Sequence, residues 1–63
     1  MMDQLLTEQQ LAELLGKSPK TLERDRMSGV GIPFIRVGRS IRYRTSDVEK
    51  YLDERTVAVR PHE

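Results

Sequence analysis

The chain has 63 residues, a formal net charge of +1 and no cysteine. That length suits one small domain with a modest core and leaves no room for a deep substrate cleft. Without cysteine there is no disulfide staple, no thiolate metal ligand and no cysteine nucleophile, which fits a reducing cytoplasm. Apolar runs are two or three residues long, so no membrane span and no signal peptide is expected.

The small net charge conceals a segregated pattern. Residues 1–16 carry Asp3, Glu8 and Glu13 with no basic side chain. Residues 17–44 carry Lys17, Lys20, Arg24, Arg26, Arg36, Arg39, Arg42 and Arg44 against only Glu23 and Asp25. Residues 45–63 are acidic again, with Asp47, Glu49, Asp53, Glu54 and Glu63 against Lys50, Arg55 and Arg60. A central positive block points to a polyanionic partner more than the overall charge does.

The first element opens at Thr7. Thr7-Glu8-Gln9-Gln10 matches a capping box, and Leu11, Ala12, Leu14 and Leu15 follow at helical spacing. Gly16 ends the run as a left-handed cap, so the first helix covers about 8–15. Ser18 then caps a second helix, with Pro19 at its first position, where no amide is needed. Leu22 and Met27 are expected inward. The stretch Gly29-Val30-Gly31 with Pro33 stops this helix near residue 28. Two short helices around Gly16-Lys17-Ser18 make a helix-turn-helix.

Residues 34–44, FIRVGRSIRYR, read as two strands around Gly38. A two-residue turn, Gly38-Arg39, pairs Val37 with Ser40 and Ile35 with Arg42, leaving both faces mixed. A three-residue turn, Gly38-Arg39-Ser40, pairs Val37 with Ile41 and Ile35 with Tyr43. One face is then apolar, and Arg36, Arg42 and Arg44 share the other beside Phe34. Burial favours the second register, although such loops usually place glycine last rather than first. Ser46-Asp47-Val48-Glu49 reads as another capping box, opening a third helix over about 46–55 with Val48, Tyr51 and Leu52 inward. Residues 1–55 thus form one domain, mainly α with a β-hairpin, ordered helix, helix, hairpin, helix: a winged helix-turn-helix. Residues 56–63, with Pro61, form a loose tail.

The arginine face of the hairpin has no acid among it. Strand charges can discourage edge pairing, but unopposed arginines repel one another, and their planar forks suit phosphate and narrow minor grooves. Lys20, Thr21 and Arg24 share an exposed face of the second helix, beside an N-terminus whose amides favour phosphate. In a helix-turn-helix that face enters the major groove. Other chemistry is thin. His62 is the lone histidine and sits in the tail, and Gly29-Val30-Gly31 lacks the spacing of a phosphate loop. The carboxylates read as solubilising charge, the methionines as start or packing residues, and Tyr43 and Tyr51 as core with hydroxyls at the surface. No enzyme activity, cofactor or metal is expected.

Pro33-Phe34-Ile35-Arg36-Val37-Gly38-Arg39, Ile41-Arg42-Tyr43-Arg44 and Ser46-Asp47-Val48, following LLTEQQLAELLGKSPKTLERDRMSG, resemble the small winged-helix DNA-binding proteins of the excisionase and AlpA type, relatives of the MerR DNA-binding head. The resemblance covers residues 5 to about 55. It implies a recognition helix with Ser18, Lys20, Thr21 and Arg24 facing double-stranded DNA. It implies a wing whose tip, Arg39 and Ser40, reaches the minor groove, with Arg36, Arg42 and Arg44 along the backbone. It further implies a recombination directionality factor in a bacterial or phage-infected cytoplasm. Such a factor binds adjacent sites cooperatively with copies of itself, bends DNA and directs a partner integrase toward excision. The alternative is a small transcriptional regulator of the same fold. With about eight residues after the third helix, no long dimerisation helix and a monomer in free solution are expected. Where many relatives carry an aromatic, this chain has Asp25, read as a surface acid rather than an arginine partner. A basic protein-interaction module ranks lower, and RNA binding lower still for want of aromatic platforms.

Overall fold

The structure, a computed structural model, describes residues 3–59; Met1, Met2, Pro61 and His62 lie outside the described residues. Its elements are β1 (Leu5–Leu6), α1 (Glu8–Leu15), α2 (Pro19–Met27), β2 (Ile35–Val37), β3 (Ser40–Arg44) and α3 (Thr45–Glu54). The antiparallel sheet has the order β1-β3-β2. The architecture is a winged helix-turn-helix.

The first two helices start and stop on local chemistry. Thr7 Oγ1 accepts from the Gln10 amide at 3.0 Å, and Gln10 Oε1 accepts from the Thr7 amide at 2.9 Å. Gly16, at φ 69°, turns its N–H back to the Ala12 and Glu13 carbonyls. Ser18 Oγ then accepts from the Thr21 amide at 3.2 Å, with Pro19 at the first helical position. These closures leave a three-residue turn, which brings α1 and α2 into direct packing.

One inward expectation fails on helical geometry. Leu22 and Met27 are five residues apart, about 140° around a helix, so both cannot face one core. Leu22 is buried and Met27 is 75% exposed. On α1, Leu11, Ala12 and Leu15 define the inward arc. Leu14 lies about 60° beyond Leu11, on the far side from Ala12, and is exposed.

The hairpin takes the register that burial disfavoured. Val37 pairs with Ser40, Arg36 with Ile41 and Ile35 with Arg42, across the two-residue turn Gly38-Arg39. Gly38 has φ 61°, while among the described residues no residue other than glycine has positive φ. Glycine first is what a type II′ turn requires, and its twist matches the strands. Turn chemistry therefore outweighs the alternation of Ile35 and Val37, and Val37 is left exposed. Ile32, in the loop after α2, enters the core instead. Arg36 consequently stands on the face of Ile41 and Tyr43, while Arg42 and Arg44 share the opposite face with Ile35 and Val37; the three arginines are not on one face.

β1 has no signature in the sequence, because two leucines carry no alternation. It pairs Leu5 with Arg44 and Leu6 with Tyr43. The second capping box does not form. β3 runs straight into α3, Arg44 occupies the cap position without a side-chain bond, and Ser46 Oγ donates to Asp3 Oδ2 at 2.7 Å. Asp47 still falls in the first turn, where its charge suits the helix dipole. Leu52 is 42% exposed, outside the stripe expected of it. Residues 56–59 form no helix or strand, though Thr56 Oγ1 donates to the Leu52 carbonyl at 2.8 Å. The core joins Leu11, Ala12, Leu22, Ile32, Tyr43 and Val48, ringed by Leu6, Leu15, Ile41 and Tyr51.

Candidate nucleic-acid interface

Leu22 anchors α2 inward, so the opposite side of the helix faces solvent. At 100° per residue, Lys20, Arg24 and Met27 lie 140–160° from Leu22. All three are exposed, and they line one open groove with Thr21, Glu23 and Ser28. The structure thus brings Lys20, Thr21 and Arg24 together. Ser18 lies at the end of this surface, and its hydroxyl is engaged locally: it caps Thr21 and sits 2.8 Å from Thr21 Oγ1.

The wing displays its cations differently. Arg39 and Ser40 are exposed at the turn. Arg44 is exposed at the join of β3 and α3. Arg42 is half-buried and donates to the carbonyl of Ile41 at 2.8 Å. Arg36 lies 6.0 Å from the centroid of Phe34, whose ring also receives Arg26 at 5.6 Å. Two guanidinium groups on one ring tie the base of the wing to α2. Among the described residues the salt bridge is Arg26–Glu8, and Lys20, Arg24, Arg36, Arg39, Arg42 and Arg44 have no acidic partner. Such unopposed charge is what a phosphate backbone compensates.

A helix-turn-helix domain family model matches residues 5–56, a span that takes in every helix and strand. The chain belongs to this helix-turn-helix domain family. The helix-turn-helix domain is a DNA-binding module. No curated protein matches the sequence. No helix among the described residues is long and apolar enough to cross a membrane.

Beside the shared core and the Phe34 contacts, a carboxylate expected as solubilising charge also holds the helix-turn-helix against the wing. Glu8 Oε2 accepts from Arg26 Nε at 3.0 Å and from the Tyr43 hydroxyl at 2.7 Å. One oxygen therefore joins α1, α2 and β3. Partial burial pushes the Glu8 carboxyl up, but the bonds from Arg26 and Tyr43 and the Arg26 charge outweigh it. The group sits below its ordinary value. Burial, then the bond to Glu8, pushes the Tyr43 phenol up to about 12. The bond to Glu8 also raises Arg26. Tyr43 is thus core at both ring and hydroxyl, not core with a wet tip. The capping box had already named Glu8 as a first-turn residue, but nothing local marks its partners 18 and 35 residues away.

Asp25 is half-buried and makes no salt bridge. Its carbonyl accepts from the Val30 amide at 2.9 Å, and its Cβ lies 3.6 Å from where a side chain on Gly31 would begin. It packs on the loop that carries Ile32 into the core, so it is neither a fully solvated acid nor an arginine partner.

Proposed function

We propose that the chain is a sequence-specific double-stranded DNA-binding protein that serves as a recombination directionality factor. In this reading α2 is the recognition helix, and Lys20, Thr21 and Arg24 read the major groove while Ser18 orders its N-terminus. Arg39 and Ser40 carry the wing tip toward the minor groove, and Arg36, Arg42 and Arg44 meet the backbone. The observation that carries it is the set of unpartnered cations on the outward side of α2 and on the wing. The order and spacing of residues 33–48, which resemble those of excisionases, support the recombination role.

One such module covers roughly 600–1,000 Å² of its own surface on DNA, so a single copy binds modestly. Neighbouring copies on adjacent sites supply the rest, bending the DNA and presenting it to an integrase. The test is selection of bound duplexes from a random pool, followed by sequencing. Short sites repeated in one orientation, about one helical turn apart, are the expected outcome. A single site or an inverted pair would favour the transcriptional-regulator reading. No enrichment would refute sequence-specific binding.

A further inference from the structure

Met27 is the unabsorbed feature of the outward face. It is 75% exposed, although methionine is apolar and the same helix sends Leu22 into the core. A packing role would need Met27 near Leu22 on the helix wheel, and it stands about 140° away. It lies instead on the stripe of Lys20 and Arg24, in the groove those residues line with Thr21, Glu23 and Ser28. On this stripe the charged groups have complements in DNA, whereas Met27 needs an apolar one. The major groove offers one such group, the C5-methyl of thymine.

We infer that Met27 is a specificity-determining residue that reads a thymine methyl in the major groove. The inference rests on the reading of α2 as the recognition helix. Met27 follows Lys20 by seven residues, about 10 Å along the axis, or about three base pairs when the helix lies along the groove. Its unbranched thioether can settle against a methyl without a fixed shape. The contacted thymine therefore sits about three base pairs from the position that Lys20 approaches.

The experiment uses the full chain and a site selected from a random duplex pool. Each thymine of that site is replaced singly by deoxyuridine, which removes the methyl and leaves base pairing intact. Wild-type protein is expected to lose about fourfold in affinity at one thymine, the effect of one buried methyl. Met27→Gln, of similar length and exposed in the fold, is expected to bind the thymine and uracil duplexes alike. Its circular dichroism and melting curve should match wild type. If wild type ignores every uracil substitution, or Met27→Gln keeps the same fourfold penalty, the inference is overturned while DNA recognition by α2 stands. If the pool yields no preferred site at all, recognition itself fails, and the role of Met27 falls with it.

Discussion

Between Thr7 and Ser28 the chain closes each helix end with a neighbour: Gln10 on Thr7, Gly16 on Ala12, Ser18 on Thr21, Ser28 on Arg24. Between Ile32 and Arg44 the local device is the Gly38 turn, and the strands beyond it are placed by partners far along the chain. Tyr43, for instance, is fixed by Leu6 across the sheet and by Glu8 through its hydroxyl. The two halves teach that a helix-turn-helix can be written locally, whereas a wing acquires its orientation from what it docks on. Glu8 is the point where the halves meet.

Breaking that meeting point has the largest expected effect. Glu8→Ala leaves the Arg26 charge and the Tyr43 hydroxyl without an acceptor, at a cost of about 2 kcal/mol. For a chain of this size, with total stability of roughly 3–9 kcal/mol, urea denaturation should show a large loss. The same network sets a pH window. The Glu8 carboxyl is lowered from 4.5, so its contribution is full above that pH and is lost as the pH falls through the lowered folded value. Tyr43 is raised from 10.0 to about 12, so its contribution is full below pH 10.0 and is lost as the pH rises through about 12. Denaturation across pH should therefore give a plateau with two falling limbs, and Tyr43→Phe should remove the alkaline one.

Next in size is Gly38→Ala. A Cβ there meets nothing within 4 Å, so its effect comes from the left-handed backbone alone, about 1–2 kcal/mol. The loss should concentrate in the wing, visible as faster amide exchange in β2 and β3 than in α1. Insensitivity to Gly38→Ala would mean that the turn is not what sets the register.

The caps give the smallest and most discriminating pair. Ser18→Ala should cost about 1 kcal/mol, because Ser18 Oγ accepts the Thr21 amide. Ser46→Ala should cost a few tenths, because Ser46 makes an exposed bond to Asp3 rather than a cap. Equal melting shifts for the two would contradict the observed start of α3.

These contrasts also mark what the sequence discloses. The bounds of α1 and α2, the turn between them and the exposure of Lys20 and Arg24 follow from residues three or four apart, so they were legible, whereas Thr21 beside them is half-buried with its hydroxyl on Ser18. The hairpin register was not, because alternation at Ile35 and Val37 argued for burial while Gly38 argued for a two-residue turn, and the turn prevailed. Ser46-Asp47-Val48-Glu49 has the composition of a capping box, yet β3 feeds α3 without a loop and the frame shifts. Ile32 and Glu8 owe their roles to contacts that no local spacing records. The arginines of the wing were legible as charge but not as geometry: Arg36 belongs with Phe34, and Arg42 and Arg44 with the other face.

The central claim is that the unpartnered cations of α2 and of the wing meet one DNA duplex. Its most direct test is the affinity for a selected duplex between about 50 and 200 mM salt, for wild type, Arg39→Ala and Arg24→Ala. The account predicts a steep fall with salt for wild type and a slope smaller by about one unit for Arg39→Ala, with all sequences weakened alike. Arg24→Ala should in addition relax base preference. Affinity that ignores salt, or variants indistinguishable from wild type, would contradict the account.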